Sequence, residues 1–136
     1  TFRSDTTGKE FKIFHYVDCK STNLIYLMEC SMCKNHQYVG KSEWPFNKRI
    51  NTHRNDVWRS DGPPADKHFQ LPNHNFNEHA KFTILEKLEK TPNNKQELRK
   101  ILEMKEDRWI SRLRTLAPNG LNTNYNHPQF ISGIIV

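Results

Sequence analysis

The pattern of apolar and polar positions along the chain predicts two short strands on either side of a loop that contains two cysteines. Residues 24–28 (LIYLM) and 37–41 (QYVGK) are short, β-prone and closely spaced, which is typical of two antiparallel strands. A third segment, 81–88 (KFTILEKL), alternates between apolar and polar residues and ends before the turn sequence TPNN. We therefore predict a sheet of three strands.

One helix is predicted soon after the second strand. Pro45 can open it, and positions on one face recur every three or four residues over about three turns. These positions are Phe46, Ile50, His53 and Val57. The sequence SDGPPAD at 60–66 is a clear break, and a short helix is predicted around residues 65–71.

A long helix is predicted after the third strand. Pro118 and Gly120 follow its apolar stripe and mark its end. The stripe consists of Leu98, Ile101, Leu102, Trp109, Ile110, Leu113 and Leu116. The resulting order, β-β-α-α-β-α, predicts the α+β fold class, with a small three-stranded antiparallel sheet flanked by helices.

Length and composition are those of one small folded domain. The chain has 136 residues, of which 35% are hydrophobic, but eight Phe, four Tyr and three Trp supply large side chains for one modest core. We divide it into a lead-in over 1–20, a domain over 21–126 and a C-terminal tail over 127–136. The lead-in carries three apolar residues that can dock on the body: Phe11, Ile13 and Phe14.

Charge and cysteine usage narrow the class of partner and the compartment. The formal net charge of +6 favours a polyanionic partner such as nucleic acid, although it is also an ordinary charge for solubility. No apolar stretch approaches the roughly 20 residues that span a bilayer, and the polar N-terminus lacks the apolar core of a secretory signal. Three cysteines, two of them in a C-x-x-C, favour a reduced protein. We therefore expect a soluble, intracellular domain.

One carboxylate of the long helix lies on its apolar side. On a helical wheel, Glu106 falls inside the stripe next to Leu102, whereas Glu103 and Asp107 fall outside it. A carboxylate that faces a core needs a partner, such as a buried base, a metal ion or a cleft. The alternative is a Glu at the edge of the stripe, paired with a lysine such as Lys105.

Two further groups of residues could carry chemistry. Arg49 and His53 are four apart and share a helix face, which suits a phosphate and the proton traffic around it. The alternative is a solvated basic face. Tyr26 and Tyr38 occur one per strand, and adjacent strands can bring their hydroxyls to the same face of the sheet, although tyrosines in strands are usually core residues.

Five separate elements resemble the GIY-YIG nuclease superfamily, over roughly residues 19–126. They are LIYL at 24–27, YVGKS at 38–42, RINTH at 49–53, EDRWI at 106–110 and PNGLN at 118–122. The C-x-x-C between the strand motifs, the downstream HFQLPNH and the ending of the domain are similar to the endonuclease domain of Penelope-like retroelements. The first motif has Leu24 where the superfamily name has Gly, which leaves Tyr26 and the strand intact.

The resemblance implies a metal-dependent phosphodiesterase with its site at the edge of the small sheet. The residues that match the family's catalytic positions are Tyr26, Tyr38, Arg49, His53, Glu106 and Asn122. Both tyrosines would line the nucleophile's pocket, with Tyr26 as the group that activates or positions the attacking water. Arg49 would neutralise charge on the scissile phosphate, with assistance from His53 and a supporting contact from Asn122. Glu106 would hold one divalent ion, Mg²⁺ or in its place Mn²⁺.

The same resemblance implies the partners. The substrate would be DNA, nicked to prime the reverse transcription of a retroelement in the nucleus, and the rest of a parent polyprotein with its reverse transcriptase would be a second partner. No membrane partner is expected. Three basic side chains are candidates for contacts with phosphate or DNA: Lys41, Lys48 and Arg54.

The cysteine loop indicates a second metal, in a zinc knuckle. Cys30 and Cys33 have the spacing of a zinc half-site, and His68 and His74 have five residues between them, so the four would form a Cys₂His₂ structural zinc site. The alternative is two reduced core cysteines and two loop histidines. Other residues could replace one of these ligands: Cys19, His36 and His79.

Two other functions remain open at this point. One is a GIY-YIG nuclease of the repair or junction-resolving kind, which would not be expected to carry this set of cysteines and histidines. The other is a catalytically inactive, zinc-containing module that binds DNA through phosphate contacts.

Overall fold

The computed structural model describes residues 2–8, 10–11 and 19–127. A two-stranded antiparallel pair comes first, made by β1 (Phe2–Arg3) and β2 (Glu10–Phe11). The main sheet has three strands: β3 (Leu24–Cys30), β4 (Gln37–Ser42) and β5 (Ala80–Lys87). Its order is β4-β3-β5 and both pairings are antiparallel, so β3 is central and β4 is an edge strand.

The three predicted helices are present in the predicted order, and a further short helix, Phe76–His79, was not predicted. The helices are α1 (Phe46–Asp56), α2 (Pro64–Lys67), which continues into the 3-10 helix His68–Gln70, α3 (Phe76–His79) and α4 (Lys95–Leu113). The predicted α+β class with a three-stranded antiparallel sheet and flanking helices is confirmed. The pair β1–β2 was not predicted, because two-residue strands carry no periodicity. The predicted docking of Phe11, Ile13 and Phe14 concerns side chains outside the described part, and so does the tail beyond residue 127.

The long helix is shorter than its apolar stripe suggested. Asn94 caps its N-terminus by accepting hydrogen bonds from two backbone N–H groups, and Arg114 ends it in the left-handed conformation with φ 53°. Leu116 therefore lies beyond α4, where it forms a β-bridge with Asn122. The prediction that the helix runs through Leu116 was wrong, because apolar periodicity continued past a backbone reversal.

The sheet buries both of its faces. Side chains alternate along each strand, so Ile25, Leu27 and Val39 share one face and pack with residues of α4. Tyr26 and Met28 share the opposite face, which packs against α1 and the segment that contains α2. Because β4 is the edge strand, its free edge lies between α4 on one face of the sheet and α1 with the α2 segment on the other.

Within the described ranges, no helix combines the length and apolarity needed to cross a membrane.

Candidate functional site

A cleft of about 490 Å³ lies along the β4 edge of the sheet. Its walls come from β4, α1, the turn before α2, α4 and the segment 121–126. Five residues that the sequence singled out line it: Tyr38, Lys41, Arg49, Glu106 and Asn122. Positive, phenolic and carboxylate groups from three elements thus face one space.

Tyr26 lies behind this wall and is fully buried. Its hydroxyl oxygen is 2.5 Å from Nε2 of His53 and accepts a hydrogen bond from Nε of Arg49 at 3.0 Å. Arg49 and His53 therefore share a helix face as predicted, and both contact the same phenol oxygen. Burial raises the pKa of Tyr26 well above its ordinary value, so the hydroxyl is protonated at neutral pH.

His53 has a second partner that the sequence did not reveal. Its Nδ1 is 2.6 Å from Oδ1 of Asp66, and both side chains are buried. Asp66 belongs to α2, directly after a Pro-rich break. A single Asp at that place is typical of the first turn of a helix, so sequence alone gave no signal that it meets α1.

Tyr38 lies on the wall of the cleft. It pairs with Met28 while Tyr26 pairs with Gly40, so both tyrosines share one face of the sheet, and their ring centroids are 6.5 Å apart. Burial raises the pKa of Tyr38 to about 12, with a further contribution from the negative charge of Glu106. The expectation that two strands bring the phenols to one face is met, but only Tyr38 lines the cleft as described.

Glu106 is 7% exposed and faces the cleft from α4. Its Oε1 accepts a hydrogen bond from Nδ2 of Asn126 at 2.6 Å and lies 3.5 Å from Nζ of Lys41. Burial raises the pKa of Glu106, and the charge of Lys41 opposes that shift. Lys105, the lysine considered from sequence, pairs instead with Glu86.

Asp107 holds the segment that covers Glu106. It accepts hydrogen bonds from the backbone N–H groups of Asn126 and His127, each at 2.7 Å, and it is 1% exposed. The helical wheel placed Asp107 outside the apolar stripe, yet the structure buries it, because residues 123–127 fold back over that side of α4. Asp107 and Asn126 were both missed by sequence reasoning, since the segment has no periodicity.

Asn122 connects this segment to the sheet. Its side chain accepts from the N–H of Val39 at 2.8 Å and donates to the carbonyl of Val39 at 2.9 Å, while the Thr115 hydroxyl donates to its Oδ1 at 2.7 Å. Asn122 therefore fixes the wall of the cleft. Lys48 and Arg54 lie on the exposed side of α1, away from the cleft walls.

The predicted Cys/His set comes together in space. Ligand atoms of Cys30, Cys33, His68 and His74 all lie within 4.8 Å of one another, so the group could hold a metal ion such as zinc. Sγ of Cys33 is 3.3 Å from Nε2 of His74. Nδ1 of His74 is 3.0 Å from the carbonyl oxygen of Pro72, a contact that directs Nε2 towards the sulfur. Strand β3 delivers Cys30 and the 3-10 helix delivers His68.

The donor set fits a metal. Nε2 of His68 is buried with no hydrogen-bond partner among the described residues, as expected for a nitrogen that has a metal partner. Burial, with smaller effects of His36 and His74, lowers the pKa of His68 to about 4, so its imidazole is neutral at physiological pH. The candidate substitutes lie outside this group: His36 stacks on His68, the His79 ring is 6.1 Å from that of His74, and Cys19 is exposed.

Comparisons of the chain with protein-family models, with curated proteins and with solved structures find no match. The resemblance to GIY-YIG nucleases therefore rests on the motifs of the sequence.

Proposed function

We propose that this domain is a divalent-metal-dependent DNA endonuclease of the GIY-YIG type, which hydrolyses a phosphodiester bond in the cleft beside β4. The observation that carries the proposal is the convergence of Arg49, Lys41 and Glu106 on one cleft. Two fixed cations suit a phosphate, and a partly shielded carboxylate beside them suits a hard cation. Residues from β4, α1 and α4 meet here although they are far apart in sequence.

Arg49 is the side chain that we assign to the scissile phosphate. Its Nε donates a hydrogen bond to the Tyr26 oxygen, and the guanidinium is also hydrogen-bonded to Tyr38, so two phenols fix it at the cleft wall. A positioned guanidinium stabilises the charge that develops on phosphate oxygens during hydrolysis. Lys41 adds a second positive charge to the lining of the same cleft. Tyr26 therefore contributes by holding Arg49 in position.

Tyr38 is the phenol that we assign to the attacking water. It lines the cleft, whereas Tyr26 is fully buried behind it, so the role of contacting water moves from Tyr26 to Tyr38 in this proposal. With a pKa of about 12 its hydroxyl is neutral at pH 7 and orients the water by hydrogen bonding. In the reaction the water oxygen bonds to phosphorus and releases one proton to solvent, the bond to the leaving oxygen breaks, and the leaving oxygen takes up one proton from solvent.

Glu106 would hold the divalent ion. Lys41 and Asn126 both contact Oε1, which leaves Oε2 for a ligand in the cleft. A second carboxylate of the cleft lining, Glu43, is paired with Arg99 at 3.5 Å. The neighbouring Asp107 is occupied by the segment 126–127, so we assign one ion to Glu106. An ion held by Glu106, Mg²⁺ or Mn²⁺, would supply positive charge that stabilises the phosphate oxygens.

We also propose that the Cys/His group binds a structural zinc ion. Cys30 and Cys33 come from the end of β3 and the following loop, while His68 and His74 come from the segment after α2. A metal there would join the β3–β4 hairpin to the α2 region, a useful constraint in a domain with one small core.

The biological role that we propose, nicking of target DNA in the nucleus for retroelement priming alongside a reverse transcriptase, follows from the resemblance to Penelope-like elements. A repair or junction-resolving nuclease would share the cleft, but it would not be expected to need the zinc group. Zinc content therefore separates these two alternatives.

The test is nicking of supercoiled plasmid by the full chain with Mg²⁺, beside a chelator control. We expect relaxed circles with the wild type, and rates lower by about 10²–10³-fold with Arg49→Ala or Glu106→Ala. The matched controls are Arg112→Ala, which lies over the Trp109 ring, and Glu97→Ala in the exposed first turn of α4. Both should nick like the wild type. Nicking by Glu106→Ala at the wild-type rate would contradict the metal assignment, and plasmid that is shifted on a gel but uncut would favour a DNA-binding module.

A further inference from the structure

Asp66 is a buried carboxylate for which the proposed reaction has so far given no role. It is 0% exposed, its Oδ1 contacts Nδ1 of His53, and its Oδ2 is buried with no hydrogen-bond partner in the described part of the chain. Burying a carboxylate costs free energy of folding unless the carboxylate is paired with another group and hydrogen-bonded to it. Its described side-chain partner is His53.

We propose that Asp66 is a positioning residue, which keeps the proton of His53 on Nδ1 so that Nε2 accepts the hydroxyl proton of Tyr26 in a hydrogen bond. This inference rests on the proposed function, because the group finally positioned is Arg49 at the cleft wall. The chain of contacts is Asp66, His53, Tyr26 and Arg49, at 2.6, 2.5 and 3.0 Å.

The numbers of donors and acceptors in these four side chains support one direction for the hydrogen bonds that connect them. Arg49 has only donors, so its Nε–H must donate to the Tyr26 oxygen. The hydroxyl proton of Tyr26 then needs an acceptor, and Nε2 of His53 lies 2.5 Å away. Nε2 can accept only if it carries no proton, which in a neutral ring requires the proton to be on Nδ1. Asp66 is the acceptor that this N–H meets.

The other protonation states leave a group without a partner. If Nε2 carried the proton, Nδ1 and the Asp66 carboxylate would be two acceptors in contact with no hydrogen between them. If both nitrogens were protonated, the Tyr26 oxygen would receive from both Arg49 and His53, and its own proton would have no acceptor in this chain of contacts. Both arrangements bury an unpaired polar group, which costs free energy.

Asp66 also lies next to the wall of the cleft. It follows Ala65, which lines the cleft, and α2 leads without a break into the 3-10 helix that carries His68. The carboxylate is therefore held by a short helix with a fixed start, at Pro64, and not by a long surface loop.

The direct test is ¹⁵N NMR of the full, metal-replete chain at neutral pH, with the His53 signal assigned through His53→Gln. We expect a protonated Nδ1 and an unprotonated Nε2. Asp66→Asn keeps the size of the side chain but can present its amide N–H₂ to Nδ1, so it should shift the His53 signals towards the other tautomer. Asp56→Asn is the matched control, since that carboxylate contacts Arg59 at the surface, and it should leave the His53 signals unchanged.

Nicking kinetics of the same variants provide a second test. Asp66→Asn should lower kcat for nicking by about 10–100-fold with little change in KM, the size of effect usual for residues that orient a functional side chain. Thermal melting of Asp66→Asn close to that of the wild type shows that it is folded, and a second variant, Asp66→Ser, replaces it if it is not.

The two proposals fail in different ways. A wild-type His53 with its proton on Nε2, or on both nitrogens, overturns the role of Asp66 whether or not the chain cuts DNA. Equal nicking by the wild type and Asp66→Asn also overturns it, while the nuclease proposal stands. A wild-type chain that does not nick DNA but shows the Nδ1–H tautomer, shifted in Asp66→Asn, supports the positioning role and rejects the nuclease proposal.

Discussion

Gly40 lies directly opposite Tyr26 in the β3–β4 pair, and a Cβ atom at Gly40 would lie 2.4 Å from the hydroxyl oxygen of Tyr26. The phenol thus occupies the space that a side chain on β4 would need. Because His53 and Arg49 hold the same oxygen, the ring cannot turn aside without breaking both contacts. The glycine of the YVG motif is therefore required by a close approach between side chain and backbone.

Gly40→Ala should displace Tyr26 and release Arg49. We expect the free energy of unfolding to fall by about 1–3 kcal/mol, as in other overpacked cores, and nicking to be lost with it. Chemical denaturation and plasmid nicking measure the two effects. In a double-mutant cycle, Gly40→Ala should cost much less in a Tyr26→Ala background, where the methyl group has room. An equal cost in both backgrounds would show that the clash with Tyr26 is not the cause.

The Cys/His group should bind one metal ion per chain. Cys33→Ser removes a sulfur that lies 3.3 Å from His74, so we expect loss of the metal and a lower melting temperature. Cys19→Ser is the matched control, since Cys19 is exposed and outside the group, and it should keep the metal. Elemental analysis and thermal melting with and without a chelator measure both effects. A wild type whose melting does not respond to metal or chelator would contradict the site.

Periodicity predicted the elements that pack through repeating contacts. The three strands and the two long helices bury regular faces, and Arg49 and His53 met Tyr26 because a spacing of four places them on one helix face. Asp66 and Asp107 could not be found in this way. Each is buried by a segment from elsewhere in the chain, and these segments carry no repeating pattern.

The partner of Glu106 shows the same limit. Lys105 is its neighbour in sequence, but successive residues of a helix point in different directions, and Lys105 reaches Glu86 on β5. Lys41 meets Glu106 because β4 packs under α4 with that face of the strand towards the helix. Register and packing decide this pair, and neither can be read from local spacing.

Arg49→Lys should be nearly as harmful to nicking as Arg49→Ala, although the charge is kept. Lysine has no Nε–H at the position that contacts Tyr26, and it lacks the planar fork that binds phosphate through two nitrogens. We expect a loss of about 10²-fold in kcat with DNA affinity little changed. Arg112→Lys is the matched control on the opposite side of the sheet, where Arg112 lies over Trp109. Nicking by Arg49→Lys at the wild-type rate would show that charge alone is needed.

The buried phenol of Tyr38 predicts how stability depends on alkaline pH. Burial, followed by the charge of Glu106, raises its pKa from about 10 to about 12 in the folded protein. The unfolded chain therefore loses this proton at lower pH than the folded chain. Its contribution to stability is complete below about pH 10 and is lost as the pH rises through about 12.

Tyr38→Phe isolates that contribution, because it removes the proton and keeps the ring. Between about pH 9 and about pH 11, the unfolding free energy of the wild type should fall by about 1 kcal/mol more than that of Tyr38→Phe. Denaturant titrations at each pH measure the difference. Ile84→Val, a small core change without a titrating group, should lower stability at every pH and keep the wild-type slope. Equal slopes for the wild type and Tyr38→Phe would mean that Tyr38 ionises as freely in the folded chain as in the unfolded one, and that it is not shielded at the wall of the cleft.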